Sequence, residues 1–194
     1  MWILFVALLL VLSLSERLYS DTKSKVIMLT GLNFNKWVTS VRSKGISIVH
    51  FYQKYDDLSK SKILREFGSL SEELNGIAFF GAVSCDDESA ICEKEGITKY
   101  PTVRIYPRSP IPTMDFVENE YSIEEIKKSA LRTIEGNTIE ITQTNIETFL
   151  KDNPTKPKVL YFTDKPKGVP VTIKALSQSF EKTIFFGVVR KEED

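Results

Sequence analysis

The chain has 194 residues, 26 Lys+Arg against 26 Asp+Glu, a single histidine, and 42% hydrophobic residues. That is enough apolar material for one ordinary domain plus a smaller unit. A formal net charge of zero, with no basic cluster interleaved with aromatics, excludes a dedicated nucleic-acid binder, which needs surplus Lys and Arg to neutralise phosphates.

Residues 2–14, WILFVALLLVLSL, form an apolar run followed by Ser15, Glu16 and Arg17. Its length matches the core of a secretory signal and falls short of the about 20 residues a membrane-spanning helix needs. Residues 1–20 are therefore read as a signal peptide. Cleavage is expected after Ser15, which has the small Ser13 two residues earlier, or after Ser20. An uncleaved membrane anchor and a buried helix are the alternatives. The closing Arg-Lys-Glu-Glu-Asp is not a standard retention signal, so retention and secretion both stay open.

From there the periodicities alternate. Val26–Thr30 reads as a short strand. Leu32, Phe34, Trp37, Val38 and Val41 then recur at helical spacing. Ser43-Lys44-Gly45 turns into an apolar, β-branched strand over 46–52. A polar junction, Gln53 to Ser59, leads to a helix with Leu58, Ile63, Leu64, Phe67, Leu70 and Leu74 on one face, closed by Asn75-Gly76. Ile77–Val83 is apolar enough for a strand buried on both faces. A short helix over Ser89–Glu95 ends at Gly96. Strands at Thr102–Tyr106 and Met114–Val117 flank a Pro-rich turn, and a helix from Ser122 to about Arg132 follows.

The pattern restarts after Ile134-Glu135-Gly136-Asn137. Strand 138–142, helix 145–151, strand 159–163, helix 171–180 and strand 184–189 repeat the opening but lack its closing ββα. The expected architecture is α/β: a mixed sheet with helices on both faces over 21–134, and a partial second unit over 135–194.

The two cysteines, Cys85 and Cys92, are too far apart for a redox Cys-x-x-Cys and too few for a structural zinc site. In an oxidising compartment they suggest a structural disulfide worth about 2–3 kcal/mol, with two buried thiols as the alternative. No acceptor for N-glycosylation is present, since Asn153-Pro154-Thr155 is spoiled by its proline.

Three stretches carry a family resemblance: VIMLTGLNFNKWV (26–38), VHFYQKY (49–55) and FFGAVSCDDESAICEKEGITKYPTVRIYP (79–107). In that order and spacing they resemble the thioredoxin-like domains of the protein disulfide isomerase family, over about residues 24–134. The second unit looks like the start of another such domain. The resemblance implies a thioredoxin-like fold. It also implies a lost active site: the tryptophan position falls on Tyr55 and the two cysteine positions on Asp56 and Ser59. The buried proton-moving acid falls on His50, and the Gly-Arg before the last helix falls near Asn119-Glu120. Thiol–disulfide exchange needs two thiols at the Asp56 and Ser59 positions, so oxidoreductase activity is not expected.

Asp56 or Asp57 instead suits the helix N-terminus as a cap, with a cation site or a catalytic carboxylate pair as the alternative. Tyr100-Pro101-Thr102 corresponds to the family's cis-proline loop, which in relatives pairs with extended peptides, and is the candidate peptide-binding element. Shaping the entry to the next strand is its alternative role. Asp56, Asp57, Asp86, Asp87 and Glu88 are expected at one sheet edge as a solvated acidic rim, with a weak Ca²⁺ site as the alternative. His50, opposite in parity to Val49 and Phe51, is expected to be a buried, hydrogen-bonded core residue, or else a pH sensor.

The resemblance thus implies a redox-inactive protein of the endoplasmic reticulum lumen or a secreted one, needing no cofactor and no metal. It would bind unfolded or partner polypeptides as a chaperone or adaptor, and would meet a membrane only through a retained N-terminal anchor. A structural module of a larger multidomain disulfide isomerase is the second reading, and an enzyme with Cys85 and Cys92 as a slow regulatory dithiol the third.

Overall fold

A computed structural model describes residues 19, 24–55, 63–117 and 121–191. The leader segment other than Tyr19, the junction residues Asp56, Asp57, Leu58 and Ser59, and the pair Asn119-Glu120 lie outside the described residues. Two sheets organise the rest. The first runs in the order β1 (Ile27–Met28), β3 (Phe79–Ser84), β2 (Ser47–Tyr52), β4 (Thr102–Tyr106), β5 (Met114–Val117). β1, β3 and β2 are parallel, β4 runs antiparallel to β2, and β5 antiparallel to β4. The second sheet, β6 (Thr138–Ile141), β8 (Phe185–Arg190), β7 (Lys158–Thr163), is parallel throughout.

Alternation along β2 sorts the core into two layers. Ile48, His50 and Tyr52 face helices α1 (Leu64–Glu73) and α3 (Ile123–Arg132), where Phe67, Leu70, Ile126 and Ala130 are buried. Val49 and Phe51 face the other way, toward Phe34, Val38 and the helix α2 (Ser89–Glu95). Every β2 residue is buried, as a central strand covered on both faces requires. α3 begins with a reciprocal cap: Glu125 N–H donates to Ser122 Oγ at 3.3 Å, and Ser122 N–H donates to Glu125 Oε2 at 2.8 Å.

The first helix expected from the sequence takes another form. Leu32, placed on its apolar face by spacing, is fully exposed, and the chain makes a turn, then a π-helical stretch Asn35–Thr39 and a 3₁₀ turn Val41–Ser43. Asn33 lies in that turn. Its Oδ1 accepts from Thr30 N–H at 2.8 Å and its Nδ2 donates to Met28 O at 3.1 Å, which ties the turn back onto the strand.

The second sheet repeats these devices, with α4 (Ile146–Lys151) after its first strand and α5 (Val171–Ser179) before its last. Asn145 Oδ1 accepts from Thr142 N–H at 2.9 Å while Nδ2 donates to Glu140 O at 2.8 Å. Ser71 Oγ accepts from Lys25 N–H at 3.0 Å, and Ser177 Oγ accepts from Asn137 N–H at 2.8 Å. The sequences Phe-Phe-Gly-Ala-Val of β3 and Phe-Phe-Gly-Val-Val of β8 sit in the same register: Gly81 lies between Ile27 and Val49, and Gly187 between Ile139 and Leu160. Both positions need glycine, since an added Cβ would collide with the Leu29 side chain in one and come within 2.6 Å of Ile141 Cγ1 in the other.

The two sheets share packing. Ala175 and Val171 of α5 join the apolar cluster that holds Ile126, Ala130 and Ile134. Arg108 donates to both carboxylate oxygens of Glu181 at 2.8 and 2.9 Å.

Candidate functional site

The carboxyl ends of β2 and β3 and the loop before β4 meet at one rim. β2 runs out into Gln53, Lys54 and Tyr55, the last of which is 89% exposed. At the end of β3, Cys85 N–H donates to Tyr52 O at 2.8 Å, which holds the two strand ends level. Asp86 Oδ2 then accepts from Lys54 N–H at 2.7 Å, and Lys54 Nζ lies 2.6 Å from Asp87 Oδ1. That bond to Asp87 raises the Lys54 ammonium above its ordinary value. Glu88 Oε2 accepts from Gly31 N–H at 3.0 Å. All three acids of this stretch are engaged with local donors, and among the described residues no group of three His, Cys, Asp or Glu side chains is placed to hold a metal ion.

Cys85 and Cys92 form a disulfide with Cα atoms 5.8 Å apart, joining the end of β3 to α2. Both residues are buried in the layer containing Val49 and Phe51. The far end of α2 is clamped separately. Arg104 donates to the Glu95 carbonyl at 2.5 Å and bidentately to Asp115 at 2.5 and 2.7 Å, and Tyr106 Oη donates to Glu95 Oε2 at 2.8 Å. Burial foremost, with the Glu95 charge beside it, pushes the Tyr106 phenol far up, so it remains a donor. A disulfide at one end and an arginine clamp at the other thus fix the helix that carries the chain into the Tyr100 loop.

That loop has a cis Tyr100–Pro101 bond, as has Ser109–Pro110. Thr102 Oγ1 donates back to Lys99 O at 2.8 Å. Pro101 and Thr102 are buried, so of the three residues only Tyr100, half-buried, offers side-chain surface to solvent. Burial first, and the Asp86 charge second, raise the Tyr100 phenol. Asp86 therefore lies within electrostatic reach of both Lys54 and Tyr100. Strand ends bring Lys54, Asp86, Asp87 and Tyr100 into one rim. Asp56, Asp57 and Ser59 lie outside the described residues.

His50 sits below this rim, fully buried. Its Nδ1 is 2.9 Å from Tyr19 Oη. The rings of Tyr19, Tyr52 and Phe67 surround it at centroid distances of 6.0, 5.4 and 5.7 Å. Desolvation alone lowers the imidazole to about 3, so it is neutral. Sequence reasoning missed its partner Tyr19, which sits at the edge of a segment read as a leader. It also missed the Asn33 and Asn145 hooks, whose common Thr-x-x-Asn spacing was the available signal.

Among the described residues the rim contains hydrogen-bonding groups and aromatic surface, with no free cysteine and no cluster of three metal-ligating side chains. Comparison with known proteins agrees with the fold. No family model matches the chain. A Dictyostelium discoideum protein named "Putative protein disulfide-isomerase" is 34% identical over 177 residues, covering 89% of this chain and 42% of its own length. The human DnaJ homolog subfamily C member 10 is 26% identical over 82 residues, covering 42% of this chain and 10% of its own. A crystal structure of ERdj5 superposes with a TM-score of 0.66 at 20% identity, covering 89% of this chain and 23% of that one. Chloroplastic thioredoxin z superposes at 0.51 with 19% identity, covering 60% of this chain and all of its own. The chain spans less than half the length of the curated relatives it matches. With a five-stranded mixed sheet flanked by helices, it has the thioredoxin-like fold of protein disulfide isomerase-family proteins.

Proposed function

We propose that the chain is a redox-inactive, protein disulfide isomerase-like protein of the secretory pathway, resident in the endoplasmic reticulum lumen or secreted. It holds unfolded or partner polypeptides as a non-catalytic chaperone or adaptor. The observation that carries this reading is the fate of the sulfur. The chain's two cysteines are tied to each other and buried between β3 and α2, while the β2–α1 junction has Asp56 and Ser59 where an exchanging pair would stand. Neither oxygen can accept or donate the electron pair that moves between sulfurs. Holding by hydrogen bonds and apolar contact is what the rim chemistry supports, with the exposed Tyr55 and the half-buried Tyr100 as its accessible aromatic surface.

The test has two arms. Purified protein is expected to reduce insulin no faster than the glutathione background, and turnover above it, with or without Cys85 and Cys92, overturns the redox-inactive reading. Capture of unfolded polypeptides is expected to weaken in Tyr100→Ala. Equal recovery by the variant removes the loop as the binding surface.

A structural module of a larger multidomain disulfide isomerase is favoured by one observation, the 42% coverage of the Dictyostelium relative. A transcript continuing past Asp194 into a Cys-x-x-Cys domain would select it.

A further inference from the structure

Tyr19 falls inside the segment read from sequence as a leader, yet the structure places it in the core. It is only 4% exposed, with its hydroxyl 2.9 Å from His50 Nδ1. Its ring meets His50 edge-on and lies tilted 6.1 Å from Phe67. His50 and Phe67 are both fully buried, one on β2 and the other on α1. A side chain packed between a strand and a helix of one core layer is part of the folded domain. Its removal would open an aromatic-sized hole over the histidine.

We propose that the chain is cut between Ser15 and Glu16, so that Tyr19 stays in the mature protein as the cover of His50. The position of the cut rests on the secretory reading above, but the place of Tyr19 in the core does not. The sequence supports the same bond independently. A signal-processing peptidase takes small residues at the cut and two positions before it. Ser15 and Ser13 satisfy both requirements, directly after the apolar run, whereas a cut after Ser20 would put Leu18 at the second position. The bond is cut on an extended chain during translocation, before the domain forms. Burial therefore does not shield the chain around Tyr19, and only the choice of bond preserves it. Hydrolysis consumes one water: Ser15 leaves with the new carboxylate, and Glu16 keeps the new ammonium group.

The whole coding sequence, expressed in eukaryotic cells with a C-terminal tag, gives the mature N-terminus by sequencing. Thermal melts of the recovered protein and of its Tyr19→Ala and Tyr19→Phe variants read the contribution to the core. Expected are an N-terminus at Glu16 and a melting temperature lower by about 10 °C in Tyr19→Ala. Tyr19→Phe, which keeps the ring and loses the bond to His50, is expected to fall between the two. An N-terminus at Asp21, or a Tyr19→Ala melt equal to the parent's, overturns the proposal. A chain still beginning at Met1 overturns the cut and the secretory reading together, while the melts separately decide whether Tyr19 belongs to the core.

Discussion

At the scale of single residues, His50 shows how a position is remade when its neighbours change. A buried ionisable group in such a place pays a desolvation cost whenever it is charged, and an imidazole avoids that cost by staying neutral. The unfolded chain protonates it near 6.5, whereas the folded protein resists until about 3. Below pH 6.5 the unfolded state therefore binds a proton that the folded state refuses. Stability contributed by the neutral ring is complete above pH 6.5 and is lost at about 1.4 kcal/mol per unit as pH falls toward 3. The urea midpoint is expected to hold steady from pH 8 to 7 and to drop between 6 and 4.5. In His50→Gln, which cannot titrate, that slope should shrink to the carboxylate background. An unchanged slope would mean that the histidine is hydrated. The sequence showed that His50 would be buried, because strand parity is local. The tyrosine that covers it was hidden, because their contact spans 31 positions.

At the scale of elements, the hooks after β1 and β6 matter more than helix propensity. Asn33 and Asn145 each satisfy one backbone donor and one backbone acceptor at a strand exit, so replacing either with Ala should cost about 1–2 kcal/mol. Hydrogen exchange at the Thr30 and Thr142 amides should rise in the matching variant and leave the other amide protected. Loss of protection at both would indicate one cooperative unit. The same residues mark where sequence reasoning stopped. Strands β2, β3 and β4 were legible because β-branched runs bounded by turn residues announce themselves, and α3 because Ser122 and Glu125 form a recognisable cap. The Leu32–Val41 segment is helical with Phe34 and Val38 buried, but apolar spacing could not register that Leu32 stays in the preceding turn or that the helix winds as π and 3₁₀. At the rim, residue types told which chemistry was missing. They did not tell that Pro101 would be buried, or that Asp86 and Asp87 would close onto Lys54, since those outcomes depend on where strand ends fall in three dimensions.

At the scale of the whole molecule, the second sheet stands apart in how it ends. In the first sheet the outer side of β2 is paired with β4, antiparallel from Ser47 to Phe51. The matching side of β7 has no strand against it among the described residues, and Phe162 and Val159 on that strand are 68% and 38% exposed. Open edges with apolar side chains invite pairing between molecules. Phe162→Lys is expected to lower self-association in sedimentation runs while leaving the unfolding free energy within about 0.5 kcal/mol of the parent. Equal association would place the contact elsewhere. The repeated Phe-Phe-Gly strands have a last consequence, for the chain as it assembles. Each glycine strand is a dock shaped for an incoming leading strand, and the polypeptide carries two nearly interchangeable docks for guests that both present an isoleucine opposite the glycine. Ile27 and Ile139 lie almost equally far from Gly81 along the chain, so loop closure alone does not choose between them, and crowded refolding should yield exchanged, interlocked oligomers alongside the monomer.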